Sequence, residues 1–170
     1  MAGQIDHDSI FEKPAADVAG LYADPDYCDY RNRCVGAWNL SPVESHTVDG
    51  RIAMSQSMNM KAAIPLPAFA QRVIGNAVRV TQDYEWDPLT QTGTLRVTPT
   101  MLPILVEGTL RVQPGPSPAQ CCVASHWQVE CRIPLVGHKI ERLLLDDLRS
   151  RLDQEREAIT GYASGAHNKR

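Results

Sequence analysis

Apolar and polar positions along this chain follow two periodicities. Period two, the mark of a strand with one buried face, runs through four stretches. Between Arg51 and Met60, the residues Ile52, Met54, Gln56, Met58 and Met60 share one face, and Arg51, Ser55, Ser57 and Asn59 share the other. From Val78 to Trp86 the inward set is Val78, Val80, Gln82, Tyr84 and Trp86. From Thr94 to Thr98, Leu95 and Val97 oppose Arg96. From Val123 to Ile133 the inward set is Val123, Ser125, Trp127, Val129, Cys131 and Ile133, while His126, Gln128, Glu130 and Arg132 face out. A short first strand is predicted over 4–11, and two less regular strands over 104–112 and 35–46. The last carries Pro42, which lacks an N–H and suits an edge or a bulge. Asp49-Gly50 supplies a turn for a two-residue hairpin, because glycine tolerates the positive φ such a loop demands.

The helical period takes over elsewhere. Pro14 opens a stretch in which Val18, Leu21 and Tyr22 fall on one face. Asp24 as N-cap and Pro25 at the first helical position predict a second short helix through Tyr27 and Tyr30. A third is predicted from Leu66 to its cap at Gly75, with Leu66, Phe69, Ala70 and Val73 on one face. The longest runs from about His138 to Tyr162, roughly 37 Å at ~1.5 Å per residue. Ile140, Leu144, Leu148, Leu152, Ile159 and Tyr162 form its apolar stripe. Residues 114–118 read as a rigid loop and 164–170 as a flexible polar tail. The order is strand, two short helices, six strands and a long helix, in one domain spanning 1–163. An antiparallel sheet with one apolar face needs a cover, and only the last helix is long enough. The expected class is α+β: a helix-grip fold, with a curved antiparallel sheet of about seven strands around the C-terminal helix and a cavity between them.

Composition narrows the function. Of 170 residues, 17 are Lys or Arg and 20 Asp or Glu, a net charge of −3 that argues against broad binding of nucleic acid or anionic membranes. The cysteines, Cys28, Cys34, Cys121, Cys122 and Cys131, are odd in number and lack zinc-ligand spacing, so no metal or cofactor is expected. The N-terminal residues lack a signal-peptide layout, and no apolar run approaches the ~20 residues that span a bilayer. A cytoplasmic protein with reduced thiols follows as the expectation.

The element order resembles the START-like superfamily, which includes polyketide cyclases and birch-pollen-allergen-like proteins. Ile133-Pro134-Leu135-Val136-Gly137-His138-Lys139-Ile140-Glu141 is similar to the strand-to-helix junction of a bacterial family catalogued as domain of unknown function 2505. Leu66-Pro67-Ala68-Phe69, Gly75 and Gln82-Asp83-Tyr84-Glu85-Trp86 are similar to it too. The resemblance spans nearly the whole chain and rests on structural motifs, none of them catalytic. It implies an apolar ligand such as a lipid, sterol, isoprenoid or polyketide.

Two charges interrupt the helix stripe. With Ile140 at 0°, Arg151 lies near ~20° and Glu155 near ~60° on the wheel. Either they form a polar spot orienting a ligand head group, or they pair with each other at i and i+4 with their stems reaching water. Gln56, Gln82 and Ser125 are inward polar groups that bond a ligand, one another or water. The inward methionines, with Tyr84, Trp86 and Trp127, suit a pocket wall or an ordinary core. The candidate cavity lining is therefore Met54, Gln56, Met58, Phe69, Gln82, Tyr84, Trp86, Trp127, Leu148, Arg151, Leu152 and Glu155. His126 and Glu130 belong to the outer face. The leading expectation is a monomer or homodimer that binds a hydrophobic small molecule or lipid. The alternatives are a cyclase, aromatase or hydrolase using Glu155 with Arg151 or Tyr84, and a protein-interaction module with no cavity ligand.

Overall fold

The period-two stretches become strands that pair with their neighbours in sequence. The computed structural model describes residues 2–61, 68 and 77–163. Its elements are β1 (Gly3–Phe11), α1 (Ala15–Tyr22), α2 (Pro25–Cys34), β2 (Glu44–Val48), β3 (Arg51–Lys61), β4 (Ala77–Asp87), β5 (Thr92–Pro99), β6 (Ile104–Pro114), β7 (Cys121–Cys131) and α3 (Gly137–Ala163). One seven-stranded antiparallel sheet has the order β1-β7-β6-β5-β4-β3-β2. The helix expected over Leu66–Gly75, with Phe69, and the tail at 164–170 lie outside the described residues. Among the described residues, no helix is long and apolar enough to cross a membrane.

Local chemistry sets the boundaries. Asp49 and Gly50 sit at φ 51° and 78°, so the β2–β3 hairpin closes in the left-handed conformation that right-twisted strands require. Asp24 Oδ1 accepts the Asp26 N–H at 2.9 Å and Pro25 follows at N1, which starts α2. Two expected spans are corrected. The strand expected over 35–46 begins only at Glu44, beyond Pro42. Before it, the chain holds β3 through a single bridge, Trp38 to Asn59, and through Ser41, whose N–H donates to Ser57 O at 2.8 Å. The strand expected to reach Ile133 ends at Cys131. There Glu141 takes the Cys131 N–H at 2.9 Å, and a Cβ on Gly137 would stand 2.6 Å from Cys131 O. Gly137 and Glu141 thus fasten the start of α3 to the end of β7.

The sheet's inner face is a set of cross-strand rows. At one end, Trp86 stacks on Tyr22 of α1 with centroids 5.6 Å apart, and Ile159 of α3 is fully buried in the same cluster. Such aromatic pairs add roughly 0.5–1.5 kcal/mol beyond area burial. At the other end, Ile140 packs with Met58, Val78, Val80 and Ile104. Leu152 lies between, against Ile5 and Trp127. The helix therefore runs along the trough, touching the sheet at both ends.

Candidate functional site

Beside the Leu152 contact, the sheet and α3 do not close on each other. A pocket of about 200 Å³ remains. Two cross-strand rows form much of its floor: Gln82, Val97, Val106 and Val129, then Tyr84, Leu95, Gly108 and Trp127. The second row depends on missing side chains. A Cβ on Gly108 would lie 2.3 Å from Trp127 Cε3, and one on Gly93 would lie 2.9 Å from the Tyr84 ring and hydroxyl. Both aromatic rings therefore lean across a neighbouring strand onto a glycine.

One end of the pocket is mostly apolar, with Met60, Val78, Pro99 and Ile104 in its wall beside Lys61. The other is polar and comes largely from α2. That helix buries Tyr27, Cys28, Arg31 and Asn32, positions i, i+1, i+4 and i+5 of one face. Asn32 Nδ2 donates to Gln56 Oε1 and to Gln82 Oε1, each at 2.7 Å. Gln56 Nε2 donates to Asp29 Oδ1 at 2.7 Å and to Ser41 O at 2.9 Å. The two inward glutamines are thus joined through Asn32, and Ser125 Oγ donates to His7 O at 3.0 Å.

Arg31 is buried, with 7% of its side chain exposed, and faces Glu155 of α3 at 3.5 Å. Tyr22 donates its hydroxyl to the same Glu155 oxygen at 3.3 Å. The guanidinium stands 5.9 Å from the ring centroids of both Tyr27 and Tyr84. Burial is the largest single influence and works against its charge, but the Glu155 carboxylate together with Cys28, Tyr27 and Tyr22 outweighs it and holds the Arg31 pKa above the ordinary arginine value. Burial, and after it the Glu155 charge, pushes the Tyr22 and Tyr27 phenols well above their usual pKa. Burial raises Tyr84 in the same way, against the opposing pull of Arg31. These phenols therefore stay protonated and can donate hydrogen bonds. The Cys28 thiol, also raised by burial, is no ready nucleophile.

Arg151 and Glu155 both reach the pocket wall but do not pair with each other. Arg151 Nε donates to Asp147 one turn earlier and Nη1 to Val35 O at 3.1 Å, while Glu155 belongs to Arg31. Met58, Gln82, Tyr84, Trp127, Leu148 and Leu152 also line the pocket. Met54, Gln56 and Trp86 are buried beside it rather than in its described wall. His126 pairs outside with Asp6 at 2.7 Å, and Glu130 with Arg132. Of the polar wall residues, Arg31, Asn32, Lys61 and Asp147 were not among those expected from the sequence. The available signal for Arg31 was Glu155 itself, a carboxylate on an apolar stripe that needs a cation.

Comparison with known proteins places this arrangement. No curated protein matches the chain. The Zhui aromatase/cyclase from Streptomyces sp. R1128 has the same fold, with a TM-score of 0.67 and 15% identity over 96% of this chain and 94% of that one. Norcoclaurine synthase from Thalictrum flavum, solved in complex with dopamine and hydroxybenzaldehyde, gives 0.60 and 15% over 94% and 87%. A START superfamily protein from Mycobacterium smegmatis gives 0.60 and 12% over 91% and 97%. At these identities the likeness speaks to the fold, which is the START-like helix grip. The sequence match is narrower and covers residues 6–162: this chain belongs to the family described as "Protein of unknown function (DUF2505)".

Proposed function

We propose that the protein binds a hydrophobic small molecule or lipid between its sheet and α3. The observation that carries this reading is the pocket itself: apolar along most of its length, polar at one end, and framed by a sheet and helix that meet on either side of it. Ligand pockets are mostly apolar, with a few placed polar groups. The fold adds support, since a solved structure of norcoclaurine synthase holds dopamine and hydroxybenzaldehyde. Binding fits the chemistry better than catalysis does. Glu155, the first candidate for acid–base work, is engaged by both Arg31 and Tyr22.

Native mass spectrometry of the protein purified from its own host tests this. A mass excess near one molecule per chain, lost on mild denaturation and identified as apolar, is the expected result. A clean apo mass that persists after incubation with lipid extract overturns the reading.

A further inference from the structure

Arg31 has more hydrogen-bonding capacity than its surroundings use. A guanidinium carries five N–H donors and no acceptor. Among the described residues it meets Glu155 at 3.5 Å, Cys28 Sγ at 3.9 Å and the ring faces of Tyr27 and Tyr84. The first distance is longer than a well-formed N–H···O bond, and a thiol is a weak acceptor. Two other pocket-wall residues carry buried donors without a partner among the described residues: the Tyr84 hydroxyl and Trp127 Nε1. Buried polar groups in folded proteins are nearly always hydrogen-bonded. Each of these groups carries an N–H or O–H with no strong acceptor among the described residues, and two of them are neighbours: the Arg31 guanidinium stands 5.9 Å from the Tyr84 ring centroid. One oxygen of Glu155, Oε1, is already shared between Arg31 and Tyr22. An added acceptor oxygen would meet these N–H and O–H groups.

Charge decides which acceptor fits. Arg31 is offset by Glu155, and Arg151 by Asp147. A second carboxylate beside Glu155 would meet like-charge repulsion with no spare cation next to it. A neutral oxygen would take the N–H and O–H bonds without that cost. We infer that the polar end of the pocket recognises the neutral carbonyl oxygen, as in a ketone, ester or amide, of an otherwise apolar ligand. Arg31 and Tyr84 are the neighbouring donors, and Trp127 offers a further N–H from the sheet. The inference rests on the pocket being a ligand site.

Three naphthalenes with one body and different heads test it: 2-acetylnaphthalene, 2-ethylnaphthalene and 2-naphthoate, titrated by calorimetry into the wild-type protein, Arg31→Met and Tyr84→Phe. A hydrogen bond from a charged donor is worth about tenfold or more in affinity. The ketone is therefore expected to bind wild type at least about tenfold tighter than the ethyl compound, with naphthoate weaker than the ketone. In Arg31→Met the ketone's advantage over 2-ethylnaphthalene falls below about threefold. Tyr84→Phe, which preserves the ring and the packing, lowers the ketone's advantage in part. Equal binding of all three by wild type overturns the inference and leaves the pocket reading standing, and so does tightest binding of naphthoate. A ketone advantage unchanged in both variants overturns the assignment of the donors. Failure of every probe to bind overturns the inference; the pocket reading falls with it only if incubation with lipid extract also leaves a clean apo mass.

Discussion

Replacing Glu155 by leucine should be among the most damaging single changes in this protein. At 3.5 Å the Arg31–Glu155 pair is worth about 5 kcal/mol of Coulomb energy at an effective dielectric of ~20. Glu155→Leu strands a guanidinium that is almost fully buried and cannot give up its proton. Breaking a buried pair from one side costs about 3–5 kcal/mol. Against a total stability of roughly 5–15 kcal/mol, that is a large share, equivalent to a fall in Tm of about 6–20 °C. Arg31→Met should cost less, because the carboxylate left behind is more exposed, keeps the Tyr22 hydroxyl, and can take up a proton. The double variant should recover most of the loss, since an ion pair replaced by apolar groups of similar volume is often neutral. Urea unfolding followed by tryptophan fluorescence and circular dichroism measures all four corners of this cycle. A coupling of roughly 2–4 kcal/mol is expected. A cost for Glu155→Leu below about 1 kcal/mol, or additivity within about 0.5 kcal/mol, would refute the claim that the pair is a buried, mutually dependent unit.

Gly108→Ala should cost about 1–3 kcal/mol by forcing the Trp127 indole aside, visible as a changed emission spectrum. By contrast Gly20→Ala, within α1 and with nothing near its Cβ position, should stabilise by about 0.5–1 kcal/mol in thermal melts. Asn32→Ala leaves Gln56 Oε1 and Gln82 Oε1 without their shared donor and should cost about 1–3 kcal/mol in urea. Tyr22, Tyr27 and Tyr84 bind their protons more tightly folded than unfolded, and burial with the Asp24 bond pushes Tyr162 up to about 12. Their contribution to stability is therefore complete below the unfolded tyrosine pKa of about 10 and is lost as pH rises beyond it. Phenolate absorbance should show Tyr22, Tyr27 and Tyr84 ionising together with unfolding.

The strands were readable because burial on one face leaves a period of two, and the inward residues of β3, β4 and β7 were found that way. The partner of Glu155 was not. Arg151 lies on the same helix face, but Asp147 is placed one turn before it. An acidic residue N-terminal to a basic one at i,i+4 is the favoured orientation, and Arg151–Glu155 has the reverse. The true partner stands on α2, whose sequence, Pro25 to Cys34, is so polar that it reads as a solvated helix. Arg31 and Asn32 are buried only because Tyr22, Tyr84, Gln56, Gln82 and Glu155 converge on them from four other elements, and no local pattern records that. Similarly, Pro42 pointed to an irregular strand, but how far the irregularity extends depends on what Trp38 and Ser41 find to bond on β3.

The pairing of β1 with β7 has a consequence for how the chain comes to life during synthesis. Strands β2 to β7 lie in the sheet in the order in which they are made, so each can dock on its predecessor as it emerges. β1 cannot: Phe11 waits for Cys121 and Gly3 for Val129. Arg31 waits longer still, for Glu155, and Asp24 for the Tyr162 hydroxyl. A ribosome-bound chain halted before α3 could hold most of its sheet and yet have neither the charge partner nor the wall that makes the pocket. Competence to hold a ligand would then arrive in one step, late in translation, and an incomplete chain would have nothing to offer one.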